Sequence, residues 1–165
     1  MKTENLQEWI GKTEERSDCL NAFPANAMAA TLNHKQLDYS ENKNLPPLWH
    51  WLYFLPIFKL SDAGYDGHAA LGDFLPPVQL PRRMWAGSRM EFLSPLKVGH
   101  EYKKTSKIKN VTAKSGRSGD LVFVTVSHEV SNGPTICINE EHDIVYREKA
   151  TSSSGPTKLI EAPKD

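Results

Sequence analysis

The sequence predicts an α+β domain in which one short helix is followed by an antiparallel sheet. Two observations carry that expectation. Phe23–His34 is alanine-rich, with Asn21 placed to cap its start and Pro24 in its first turn, the pattern of a helix N-terminus. Beyond Pro81 come strand-like stretches at Arg82–Leu93, His100–Thr112, Leu121–Val130 and Thr135–Arg147, separated by turn residues.

Bulk properties set the bounds. The 165 residues suit one domain with a real core. Lysine plus arginine (20) balance aspartate plus glutamate (20), which argues against nucleic acid as the main partner. Cys19 and Cys137 lie far apart and show neither CxxC nor metal-ligand spacing, so a reducing cytoplasm is the expected setting. The opening MKTENLQEWIGKTEE lacks the apolar stretch of a secretory signal. The most apolar run, Leu45–Leu60, is interrupted by Pro46, Pro47, His50, Pro56 and Lys59, so no membrane span is expected.

Taken in order, Leu6, Trp9 and Ile10 recur at helical spacing and predict a short helix. Lys12–Leu20 is expected to be a short strand. In the helix that follows, Phe23, Ala27, Ala30 and Thr31 would share the face turned to the sheet, where small alanines allow close packing. Lys35–Asn44 is a polar loop. Leu48–Leu55 (LWHWLYFL) is aromatic-rich and short for a helix, so it is expected to be a strand. On that strand His50 would face away from Trp49 and Trp51. Pro56–Leu80 is long and rich in glycine and proline, the mark of a functional or mobile loop. His100–Thr112 carries lysines on one side, a wet face. Lys114–Asp120 and Ser131–Pro134 are expected turns. Ala150–Asp165 is rich in Ser, Thr, Pro and Lys and is expected to be a tail or linker, leaving residues 1–149 as the domain.

The chain is organised around Phe74–Phe92, FLPPVQLPRRMWAGSRMEF. Proline fixes φ and cannot donate to a ladder, so Leu75–Pro81 should be a stiff arm leading into a strand at Arg82. Neighbouring residues of a strand face opposite ways. Arg82 and Arg83 are therefore either surface charges or a pair of which one faces a core, pocket or partner. Gly87 lacks a side chain, so a backbone or ligand can approach it closely.

Several blocks resemble one family in this order: LPPLWHWLYFLP, DGH, FLPPVQLPRRMWAGSRMEF, KSGRSGDLVFVTVSHEV and EEHDIVYRE. Together they resemble the N-terminal hot-dog half of the MaoC-like acyl-CoA hydratases, of the mesaconyl-CoA (3-methylfumaryl-CoA) hydratase type with its FAS1-like dehydratase domain. The likeness covers about Trp9 to Glu148. It implies a hot-dog fold, an antiparallel sheet wrapped around a helix, with the helix reduced or not. It also implies a coenzyme A thioester as substrate, with no other cofactor.

Hydrating an enoyl thioester needs a base for water, an acid for the α-carbon and donors for the enolate-like oxygen. MaoC-class hydratases supply the first two through a Gly-Asp-x-Asn-Pro-x-His signature. Gly72-Asp73-Phe74-Leu75-Pro76 is the nearest string here, and Val78 stands where the histidine belongs. The signature is absent, so the chain resembles the non-catalytic half, either truncated or as a separate subunit. Asp66-Gly67-His68 is the in-chain alternative for acid–base work, or else a solvated turn. Trp49, His50 and Trp51 form an aromatic pocket wall or a core strand. Glu140, Glu141, His142 and Asp143 offer too few ligands per strand face for zinc and suit a solvated strand end. Lys114–Gly119 lacks phosphate-loop order. Its charges, with Lys103, Lys104, Lys107 and Lys109, either attract the phosphates of coenzyme A or form a solvated face. No GxSxG elbow is present. His128 is expected to be structural.

Three functions remain open on this reading. The first is a pocket-forming half of an acyl-CoA hydratase or dehydratase working with a catalytic hot-dog partner. Arg82, Arg83, Trp85, Gly87, Trp49 and His50 are then candidates for substrate or interface contacts, arginine suiting a substrate carboxylate through its planar fork. The second is a free-standing acyl-CoA-binding or scaffold protein. The third is a thioesterase using Asp66 or His68. Association, by default as a homodimer, is expected in each case, because an open sheet edge invites pairing.

Overall fold

The computed structural model describes residues 4–35, 38–116 and 119–149. The expected tail at 150–165 lies outside the described residues. Strands β1 (Thr13–Cys19), β2 (Arg82–Phe92), β3 (Glu101–Gly116), β4 (Gly119–Asn132) and β5 (Thr135–Arg147) form one sheet in the order β1-β3-β4-β5-β2. Every pairing is antiparallel. Among the described residues one α-helix, α1, spans Ala22–Thr31, and short 3-10 helices occur at Glu4–Trp9, Trp49–Leu52 and Leu60–Asp62.

Local chemistry accounts for most of this. Asn21 caps α1, its side chain accepting from the Phe23 N–H at 3.2 Å. The chain leaves the helix through Asn33, at φ 51°. In β4, Val122, Val124, Val126 and Val130 are buried while Phe123, Thr125, Ser127 and Glu129 are not, the period of two that fixes register.

Two expectations are corrected. The buried face of α1 is Ala25 and Ala29, whereas Phe23 is 79% exposed. Ala25 and Ala29 share one core cluster with Leu20, Tyr102 and Val130. Leu48–Leu55 is not a strand. Pro46 and Pro47 offer no N–H to a ladder, Leu48 takes φ 72° and Phe54 φ 57°, and the chain curls into the helix at Trp49–Leu52. Its aromatic content serves the core, where Tyr53 and Phe54 are buried.

The core has two parts. One gathers α1, Leu20, Tyr53, Leu96 and Ile138 at one end of the sheet. The other gathers Leu6, Val78, Leu80, Ile108, Val124 and Tyr146 at the other end. At about 1.5 Å per residue the 10-residue α1 is about 15 Å long. The 14-residue β4 is about 46 Å long. The helix therefore covers only part of the sheet's inner face. The remainder falls to the loop between α1 and β2, and there the inner face turns polar through Ser106, His128, Glu140 and His142, which adjoin one another in the register.

Candidate functional site

The site is built on β2. Val78 and Leu80 anchor the proline-rich arm in the core, and Arg82 then pairs with Arg147. A bulge at Ala86 interrupts the register: Trp85 opposes Ile144 and Gly87 opposes Asp143. An extra residue restores a face that alternation alone would change. Arg83, Trp85, Ser88 and Met90 therefore share the inner face with Tyr146, Ile144, His142 and Glu140. The Trp85 indole N–H donates to Ser88 Oγ across the bulge at 3.1 Å.

Arg83 points inward and its side chain is 12% exposed. Its Nη2 lies 2.9 Å from Asp66 Oδ2. The other carboxylate oxygen of Asp66 accepts from the His68 N–H at 3.2 Å, and a bond from the Gly64 N–H to the His68 carbonyl closes this turn. Beside Arg83, burial pushes the Tyr146 phenol up, while the positive charge opposes that shift. Above these residues opens a cavity of about 430 Å³ lined by Trp51, His68, Leu75, Arg83, Met84, Trp85, His142 and Ile144.

Beside the cavity lies a buried carboxylate. Glu140 is 5% exposed. It accepts from Trp51 Nε1 at 3.1 and 3.3 Å and meets His50 Nε2 at 3.2 Å. His142 Nε2 lies 2.6 Å from its Oε1, within ion-pair distance but off the line of a good hydrogen bond. Burial alone would raise the Glu140 pKa, yet the close contacts with His142, His50 and Trp51 hold it well below the usual carboxylate range. The His142 ring sits between Trp51 and His128, with centroids 5.9 and 5.2 Å away. Burial, followed by the charge of Lys104, lowers the His128 pKa to about 4. Glu140 and His142 are therefore not a solvated strand end, which corrects the expectation. Their shared strand face was legible in the sequence, but the cover laid over it by Trp49–Leu52 was not.

Residues 48–165 match the family described as hydroxyacyl-thioester dehydratase type 2. The chain belongs to this family. It is also 44% identical over 159 residues to the mesaconyl-C(4)-CoA hydratase of Chloroflexus aurantiacus, an alignment taking in 96% of this chain and 57% of that relative. The chain thus spans just over half the length of the curated relative it matches. Among solved structures it is similar to a chain of the ChsH1-ChsH2 complex from Mycobacterium tuberculosis, with TM-score 0.66, 12% identity, and 91% of this chain and 96% of that one covered. It is also similar to a hot-dog-like protein from Thermanaerovibrio acidaminovorans, with TM-score 0.53, 13% identity and 89% of each chain covered. These likenesses show the fold, which is the hot-dog fold.

In this dehydratase-family chain the structure brings together Asp66, His68, Arg83 and Trp85, which are distant in sequence. His50 lies behind them on Glu140. Arg82 is on the outer side of β2. Trp49 packs against Tyr39 in the core, with ring centroids 5.1 Å apart. No protein atom comes within 4 Å of a Cβ built on Gly87, so the close approach expected there is made by no described residue. Lys104 faces inward over the Phe54 ring, 5.5 Å from its centroid. Burial lowers its pKa. Among the described residues no His, Cys, Asp and Glu cluster is arranged to hold a metal ion, and no helix is long and apolar enough to cross a membrane.

Proposed function

We propose that this chain is the non-catalytic, pocket-forming half of an acyl-CoA hydratase or dehydratase. The observation that carries this reading is the cavity on the inner face. It opens where α1 is too short to cover the sheet, it is walled by Trp51, Leu75, Trp85 and Ile144, and it has one guanidinium in its lining. Such a pocket holds a hydrocarbon chain and orients its polar end. No Gly-Asp-x-Asn-Pro-x-His signature accompanies it in the sequence. The substrate is carried as a coenzyme A thioester with no further cofactor. The acid–base pair comes from a second hot-dog unit docked on an open edge of the sheet, β1 and β2 being its outer strands. Family membership and the mesaconyl-C(4)-CoA hydratase relative support the chemistry. A cytoplasmic setting fits the free cysteines Cys19 and Cys137.

A second reading is favoured by the Glu140–His142 pair. A histidine held by a buried carboxylate at the edge of a cavity can move a proton, and the chain would then hydrate its substrate unaided. The thioesterase reading is weaker, because both oxygens of Asp66 are already engaged.

The deciding experiment follows the loss of conjugated-thioester absorbance with crotonyl-CoA and mesaconyl-CoA, for the chain alone and with its hot-dog partner. Turnover only with the partner supports the first reading. Turnover by the chain alone, abolished by His142→Gln, replaces it with the second. Release of free thiol would single out the thioesterase.

A further inference from the structure

The lysines of β3 do not share one environment. Lys103 reaches Glu15 at 3.1 Å and Lys109 reaches Glu141, both on the outer face. Lys104 turns the other way and is half-buried. Its Nζ lies 5.5 Å from the centroid of the Phe54 ring. Among the described residues Lys104 has no carboxylate within ion-pair distance. The acid beside it, Glu14, is held by Arg16 at 3.1 Å. Arg16 itself stands directly across from Lys104 in the register.

Two circumstances turn a lysine into a nucleophile: removal from water, and a second cation close by. Lys104 has both. Burial is the first cause that lowers its pKa and the charge of Arg16 the second, with Glu14 and Glu140 opposing them. The amine also borders open space. A hollow of about 440 Å³ lies between β1 and the segment after Tyr53, lined by Arg16, Ser17, Asp18, Phe54, Leu55 and Ile57. Lys104 adjoins it through Arg16 and Phe54, two of its walls. The Phe54 wall is fixed, because its N–H donates to Asp18 Oδ2 at 2.8 Å. Leu55 and Ile57 form an exposed apolar lip.

We propose that Lys104 is a site of covalent N-acylation by acyl-CoA thioesters. The inference rests on reading the chain as one that meets such thioesters. The uncharged Nζ amine attacks the thioester carbonyl carbon. A C–N bond forms, the C–S bond breaks, and coenzyme A leaves as a thiolate that takes up the proton the amine loses. No oxidant, reductant or further reactant enters. The product is a neutral amide. It ends the repulsion between Lys104 and Arg16, and its hydrocarbon lies against Phe54, Leu55 and Ile57.

The test incubates the full chain, with any hot-dog partner retained, with butyryl-CoA at mildly alkaline pH. This acyl group is saturated, so conjugate addition does not occur. Hydroxylamine then strips thioesters from Cys19 and Cys137, and peptide mass spectrometry follows the acylated fraction of each lysine over time. Lys104 should be acylated faster than Lys103, Lys107 and Lys109, and Lys104→Arg should remove the fastest phase. Arg16→Met takes away the neighbouring cation and should slow Lys104 by about two- to fivefold, the worth of one part-exposed charge, without slowing Lys107. If Arg16→Met does not fold, the wild-type map decides alone. Calorimetry with butyryl-CoA separates this inference from the reading it rests on. Binding with Lys104 acylated no faster than its neighbours overturns the inference and leaves the acyl-CoA reading standing. Acylation of Lys104 first, without measurable binding, supports the inference and counts against that reading.

Discussion

His128 should make the fold sensitive to mild acid, and the size of the effect follows from its surroundings. The imidazole is packed on the inner face with Nδ1 2.9 Å from Ser106 Oγ, and burial beside Lys104 and His142 lowers its pKa from 6.5 to about 4. The folded protein thus binds fewer protons than the unfolded chain between those values. Stability from this group is fully present above pH 6.5 and is lost as the pH falls towards 4. At about 1.36 kcal/mol per pKa unit, the full shift corresponds to on the order of 3 kcal/mol. About 2 kcal/mol of it should disappear between pH 7 and pH 5. Urea denaturation followed by circular dichroism at both pH values, for wild type and His128→Gln, measures this directly. The wild type should lose about 2 kcal/mol more than the variant over that interval, a difference of about 4–8 °C in a thermal scan. Glu140 does not confuse the window. Its carboxyl is held below the ordinary 4.5, so its contribution is present above that value and is lost only at lower pH. Parallel curves for the two proteins would refute the reasoning.

Glu140→Ala leaves His50, Trp51 and His142 facing an empty buried site and should cost about 3–5 kcal/mol at pH 7, read from the urea midpoint. Ile108→Ala, at a fully buried position, should cost about 2–5 kcal/mol in the same assay. Asn21→Ala removes the cap bond to Phe23 and should cost about 1 kcal/mol without affecting thioester binding. Deleting Ala86 removes the bulge but keeps every other pairing with β5, so Arg83, Trp85, Ser88 and Met90 stay on one face; thioester titrations should change little, and lost binding would count against a cavity set by that shared face.

The sequence by itself determined what depends on short-range chemistry. β5 spans Thr135–Arg147 as expected, and Asn21 caps α1. Both follow from alternation or from a side chain reaching a backbone two residues away. The family blocks likewise pointed to the hot-dog fold before any coordinates. The sequence also stated that Arg82 and Arg83 face opposite ways, but not which faces in, because that is set by pairing with Tyr146 on a strand more than sixty residues along. Leu48–Leu55 kept its aromatic content but not its expected conformation, since two prolines and burial against α1 outweighed strand propensity. Glu140 looked solvated until the loop carrying His50 and Trp51 came down on it. Arg83, Asp66, His68 and His142 became neighbours only through the fold. Local patterns fix which elements form, but a cavity is made by parts distant in the chain, and their meeting depends on packing that no single stretch encodes.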